Sequence, residues 1–243
     1  MNTNLLAISE PAVSPKLSTR YAFVDTRELL SIAEQSGFQI TNAMAIKPRK
    51  KDPRSVQHLV RMRHIDATPI NGVYPEVLLR NSHDGTSPVG LMTGLFRLVC
   101  SNGLIVCESD FGTHQLRHTA SGAKVVTSAL NDVLAHAINV ADRIPRFVGR
   151  SMTLAAQLAY AEKAAALLPT PINPEHLLTV RRPEDAEPNL WTVYNRVQEN
   201  LMRGGILTRH VGRRVGVTRQ VKSLNKTLNL NTKLWKMTEE WGA

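Results

Sequence analysis

Apolar and polar positions alternate with a period of two along the first half of the chain. In residues 57–65, Leu59, Arg61, Arg63 and Ile65 alternate against Val60, Met62 and His64. Successive side chains of a strand leave opposite faces, so this pattern predicts a strand. Two more strands are predicted at 38–46, closed by Pro48, and at 74–81, where residues 77–79 form a short apolar run. Ahead of them, Asp25 is an N-cap and Glu28 closes a capping box. Leu29, Leu30, Ile32 and Ala33 give that helix its apolar face, and Gly37 ends it. Residues 1–18 read as a flexible tail.

Asn81-Ser82-His83-Asp84-Gly85 is a dense turn signal, followed by an expected short helix at 87–93. Residues 95–101 and 104–108 flank Asn102-Gly103, and Asn-Gly between apolar runs predicts a hairpin. A further strand is expected at 114–119. From residue 123 the period moves toward 3.6, with Val126, Leu130, Val133, Leu134, Ala137 and Ile138 on one face. Helices are then predicted at 153–168, 190–203 and 232–241, separated by Pro169, Pro171 and Pro174, a loop at 181–188, and a Gly- and Arg-rich stretch at 206–222. The fold class expected is α+β: an N-terminal helix and antiparallel sheet with an Asn-Gly hairpin, then a helical C-terminal half. The expected organisation is a tail (1–18), an α+β core (19–122), a helical region packed on it (123–203), and a basic segment with the last helix (204–243).

Composition narrows the class. The chain has 243 residues, 42% of them hydrophobic, which suits a globular core. Aromatic residues are 5%, so base-stacking platforms cannot be numerous. Two cysteines are too few for a disulfide framework. Glu10, Pro11 and Pro15 break any signal-peptide core, and Asn131, Asp132, His136 and Asn139 interrupt the most apolar long run. The expected compartment is the bacterial cytoplasm, with no membrane partner.

Charge changes the picture more. Lys and Arg number 30 against 20 Asp and Glu, a net charge of +10. Such a balance attracts polyanions, of which nucleic acid is the commonest in a cell. The excess sits in two places. Lys47, Arg49, Lys50, Lys51 and Arg54 make a basic loop continued by Arg61 and Arg63 on one strand face. From Met202 through Met237 there is no Asp or Glu, while Arg203, Arg209, Arg213, Arg214, Arg219, Lys222, Lys226, Lys233 and Lys236 all fall there. Phosphate contacts by the loop cations, by Arg61 and Arg63, and by Arg209, Arg213, Arg214, Arg219 and Lys222 would bind DNA with steep salt dependence and little sequence reading.

Signals for chemistry are weaker. His83 could act as a general base oriented by Asp84, although adjacent residues seldom reach that geometry; the competing reading is a turn bonding its own backbone. Cys100, Cys107, His114 and His118 are too loosely spaced for a zinc site, and Glu76, Asp84, Glu108, Asp110 and Glu199 are scattered. No phosphate-binding Gly-rich loop or nucleophile elbow occurs, so neither metal nor cofactor is expected. In the helix from Leu190, Trp191, Tyr194, Val197 and Leu201 form a core stripe, while Glu199 is spaced to pair with Arg203. Its polar run either lines a site beside the basic tail or orders the tail's base.

Three motifs occur together. They are Asn81-Ser82-His83-Asp84-Gly85; the stretch from Gly94 holding Arg97, Cys100, Asn102 and Gly103; and Trp191 with Asn195, Gln198, Glu199 and Asn200 before Gly204-Gly205. In combination they resemble a family of unknown function found in phages, prophages and plasmids, the YfjQ/YafZ type, over nearly the whole chain. The resemblance implies a mobile-element setting and brings no catalytic residues. The order of helix, three strands, turn and helix is also similar to the core of phage single-strand annealing proteins, the Erf and Red-beta classes. That likeness implies a homo-oligomer that binds single strands without a nucleotide. Three readings follow: a DNA-binding protein, in its fullest form one that anneals single strands; a regulatory or anti-defence protein that binds a host protein; and a metal-dependent nuclease centred on His83 and Asp84.

Overall fold

The computed structural model describes residues 5–15, 17, 21, 23–46, 51–97, 114–116, 122–208 and 216–243. The chain divides into two compact units, Met1–Ala141 and Asp142–Ala243.

The first unit is α+β. Its antiparallel sheet runs in the order β1 (Phe38–Ala45), β2 (His58–His64), β3 (Val73–Asn81), β4 (Val89–Arg97) and β5 (His114–Leu116). Helices α1 (Leu6–Ser9), α2 (Thr26–Gln35) and α3 (Gly122–Ala141) accompany it. Asp25 caps α2 as its sequence predicts, its side chain accepting from Arg27 N at 2.9 Å. One sheet face supplies Val60, Met62, Val77, Leu79, Val89 and Leu91 to a core completed by Leu29, Leu30 and Ala33 of α2 and by Leu130 and Val133 of α3. Cross-strand pairs place Leu59, Arg61, Leu78, Arg80 and Met92 together on the other face.

Three expectations meet a different outcome here. Residues 87–93 are not a helix; β4 runs through them, and every residue from Val89 to Phe96 is buried. A strand buried on both faces loses its alternation, and a short apolar run then carries no period that separates strand from helix. The segment read as a tail contributes α1, with Ala7 and Ile8 buried. Helix α3 lies within the first unit, so the boundary falls after Ala141 rather than after 122. The hairpin expected around Asn102-Gly103 lies outside the described residues, as do Cys100 and Cys107.

The second unit is helical: α4 (Ile144–Val148), α5 (Leu154–Ala165), α6 (Leu190–Arg203) and α7 (Leu224–Gly242), with 3-10 turns at Pro174–Leu178 and Pro183–Asp185. Every residue of α6 from Leu190 to Met202 is buried. The predicted stripe is core, Trp191 stacks on Tyr194, and Tyr194 meets Trp235 of α7 edge to face. Helix α7 begins well before residue 232. Ser223 caps it, and Asn225, Asn229 and Asn231 disguise its first turns because asparagine is a weak helix former. No helix among the described residues is long and apolar enough to cross a membrane.

Candidate functional site

The Asn81–Gly85 turn is a packing knot. Asn81 is buried and donates through Nδ2 to Thr26 Oγ1 (2.9 Å) and Val24 O (3.1 Å), tying β3 to the start of α2. Ser82 Oγ donates to Ser87 O and accepts from Ser87 N, both at 3.0 Å. His83 is fully buried, its Nε2 is 3.1 Å from Ala7 O, and its ring packs against Phe23 and His58. The Asp84 carboxylate accepts from Thr86 N (3.1 Å), Thr86 Oγ1 (2.5 Å) and Lys51 Nζ (2.7 Å). Burial pushes its pKa up, but these bonds outweigh it and hold the carboxyl below its ordinary value. Gly85 sits at φ +70°, and a Cβ there would meet Leu17 at 2.5 Å. The side chains of this turn bond neighbouring backbone, and the geometry is that of structure rather than of an exposed acid–base pair.

His58, beside His83, is buried with Thr26 Oγ1 at 2.7 Å from Nε2 and Val56 O at 3.0 Å from Nδ1. Burial pushes its pKa down to about 4.

The first basic cluster is largely paired. Lys51 is held by Asp84, and Arg54 by Asp52 at 2.7 Å. Arg61 and Arg63 converge on Glu76 of β3, which is fully buried. Arg61 Nε donates to Glu76 Oε2 (2.8 Å), and Arg63 donates to Oε1 from Nε (3.0 Å) and Nη2 (2.7 Å). Thr41 Oγ1 completes the set at 3.2 Å from Oε2. The register of β1 shifts between Ile40 and Asn42. Such a bulge re-aims a side chain, which puts Thr41 on the Glu76 face. The Arg61 guanidinium lies 3.3 Å above the Phe96 ring and that of Arg63 3.6 Å above Tyr74. Lys47, Arg49 and Lys50 lie outside the described residues.

In the second unit the polar residues of α6 stitch. Asn200 donates through Nδ2 to Leu177 O (3.0 Å) and Thr179 O (2.9 Å) and accepts from Arg181 Nε at 2.5 Å. Glu199 pairs with Arg203 at 2.9 Å, as its spacing predicts, and also with Arg182 at 3.2 Å. Gln198 donates to Asn231 of α7 at 3.1 Å. Asn195 is buried, and its Nδ2 has no hydrogen-bond partner. The polar run therefore ties α6 to the loop at 177–182 and to α7. Helix α6 ends at Gly204, at φ +68°, where a Cβ would lie 2.6 Å from the Arg219 carbonyl carbon. Residues 205–208 then pair with 216–218, and Val221 N reaches back to the end of α6: Thr218 N donates to Ile206 O (2.8 Å), Gly205 N to Thr218 O (2.8 Å) and Val221 N to Met202 O (2.9 Å). Arg209, Arg213 and Arg214 lie outside the described residues.

Beyond this pairing the cations change character. Arg219, Lys222, Lys226, Lys233 and Lys236 are exposed. No described carboxylate pairs with the side chains of Arg219, Lys222, Lys226 or Lys233. On α7, Lys226, Asn229, Lys233 and Lys236 recur at helical spacing on the side opposite the buried Leu228, Asn231, Trp235 and Thr238.

Residues 16–235 match the family described as Domain of unknown function (DUF932). The chain is similar to the UPF0380 protein YfjQ of Escherichia coli (strain K12), 33% identical over 231 residues, covering 91% of this chain and 82% of that protein. It is equally similar to the UPF0380 protein YafZ of the same strain, 33% identical over 229 residues with the same coverage. The chain belongs to the DUF932 family. No solved structure matches it.

Of the motifs that carried the resemblance, the first forms the knot after β3 and the third the polar side of α6 in this DUF932 chain; the second begins in β4, and its Cys100, Asn102 and Gly103 lie outside the described residues. Sequence reasoning singled out Arg61 and Arg63 but not their partners Thr41, Tyr74 and Phe96, which only strand register and a bulge bring near. It placed Lys226, Lys233 and Lys236 in the acid-free run without assigning them to a site, although their spacing is a readable signal. Among the described residues no cluster of His, Cys, Asp or Glu is arranged to hold a metal ion.

Proposed function

We propose that this DUF932 chain binds nucleic acid through phosphate contacts made by the second unit, with Arg219, Lys222, Lys226 and Lys233 as the principal described contacts. The observation that supports this is a set of exposed cations without carboxylate partners, inside a stretch that holds no acid from Met202 to Met237. Paired cations on a surface present little net field; unpaired ones attract a polyanion and release its counterions. Buried Trp191, Tyr194 and Trp235 offer no ring to a base, which favours backbone contact over base reading. Arg209, Arg213 and Arg214 would extend the same field.

The test is a titration of labelled single- and double-stranded DNA over a range of salt. Four phosphate contacts give a slope of log affinity against log salt of about −2.8 on single strands and about −3.6 on duplex. Comparable affinity for unrelated sequences is expected. No binding of either strand form at low salt would sink the reading. Annealing of complementary strands without ATP, with rings or filaments in light scattering, would extend it to the annealing activity.

A further inference from the structure

The arginine pair on the sheet is charged beyond what its partner neutralises. Two guanidinium groups share one carboxylate, which leaves a net positive charge at a fixed place. The four acceptor positions of Glu76 are taken by Arg61 Nε, Arg63 Nε, Arg63 Nη2 and Thr41 Oγ1. Arg61 Nη1 and Nη2, and Arg63 Nη1, donate to no described group. Both side chains keep contact with solvent, at 15% and 23% exposure. On the same face the Nε of Arg80 is buried without a hydrogen-bond partner, so a further donor there is unsatisfied.

The two arginines are also immobilised. Each is fixed at one edge by Glu76 and on one plane by an aromatic ring. They stand two residues apart on one strand face, a separation of about 6.6 Å along β2. One tetrahedral oxyanion can accept from both forks across such a gap. Arginines held in place lose little side-chain entropy on binding, and bidentate donation to phosphate is the strongest use of the guanidinium fork. The exposed Gln39 and Asn42 lie directly across from Arg63 and Arg61 on the edge strand β1, adding neutral donors at the rim.

We propose that Arg61 and Arg63, held side by side by Glu76, bind one phosphate dianion, either free phosphate or the phosphate that ends a nucleic-acid strand. The site is independent of the proposed interface on the second unit. It reads a single anion by geometry, whereas a polyanion is drawn by summed charge.

Calorimetric titration of the full-length protein with inorganic phosphate, in chloride buffer, tests it. A single saturable site is expected, weakened about tenfold or more in Arg61→Gln and in Arg63→Gln, the loss of a charge-assisted bidentate contact. Phenylglyoxal labelling of the wild-type chain, read by peptide mass spectrometry, removes any dependence on folding of the variants. Phosphate should slow modification of Arg61 and Arg63 and leave Arg219 unaffected. The source is separated by short oligonucleotides with and without a 5′-phosphate: binding that requires the 5′-phosphate and is tighter than to inorganic phosphate identifies a strand end, and equal affinity identifies free phosphate. Absence of saturable phosphate binding, or equal labelling with and without phosphate, overturns the proposal whether or not the second unit binds DNA.

Discussion

The two basic regions are alike in sequence and opposite in structure. In the first, each described cation of the cluster meets an acid: Lys51 with Asp84, Arg54 with Asp52, and Arg61 and Arg63 with Glu76. In the second, Arg219, Lys222, Lys226 and Lys233 stand exposed with no carboxylate partner among the described residues. A salt bridge converts charge into position, because a paired arginine is oriented but contributes little to the field at a distance. An unpaired surface lysine does the reverse. The same residue types thus build a fixed, acid-paired arrangement in one unit and an exposed set of unpaired charges in the other.

The sharpest way to break this comparison is to remove the buried acid. Glu76→Gln leaves two part-buried guanidinium groups without their counter-charge, and urea unfolding should show a loss of about 3–5 kcal/mol. A loss below about 1 kcal/mol would mean that the pairing does not organise the sheet face.

Acid should act on the first unit next. His58 is held neutral by burial, with a folded pKa of about 4 against an ordinary value of 6.5. The unfolded chain therefore binds the proton first, and stability falls as pH drops through 6.5 and levels off below about 4. Unfolding measured across that window should lose about 3 kcal/mol by pH 4 from this group. Replacing His58 with Gln should flatten that limb; an unchanged pH profile would refute the assignment.

Reversing Arg219, Lys222, Lys226 and Lys233 to Glu together should lower DNA affinity about a hundredfold or more at low salt, with little change in unfolding. Exchanging Arg54 with its partner Asp52, which keeps the net charge of the pair, should change DNA affinity by less than about threefold. Equal losses from the two sets would erase the distinction. The smallest effect is expected from Arg54→Ala. Its partner Asp52 lies two residues away on an exposed turn, and the melting temperature should not move beyond measurement error.

Much of the architecture was legible. Helix α6 runs over the predicted residues because a strong apolar stripe and a Gly204 stop agree. Asp25 marks the start of α2 for the same reason. Among the described residues, helix and strand were confused at β4, where burial on both faces removes the period that reasoning relies on. The boundary after α3 was displaced because periodicity reports the type of an element and not what it packs against.

The candidate sites were less legible. His83 and Asp84 are polar, adjacent and titratable, which in sequence resembles chemistry. The fold turns His83 inward to the Ala7 carbonyl and gives Asp84 to Lys51 and Thr86. The contacts of His83 with Ala7 and of Asp84 with Lys51 join residues far apart in sequence and leave no trace in local pattern.

The sequence by itself determined where strands give way to helices, and that the stretch from Met202 to Met237 carries cations without a single acid. No folding of that stretch could supply a carboxylate from within it. Tertiary structure decided which of the other charges are neutralised, because Coulomb attraction depends on ångströms rather than on sequence distance. The antiparallel register of β2 and β3, with a bulge in β1, brings Arg61, Arg63, Thr41 and Glu76 to one point.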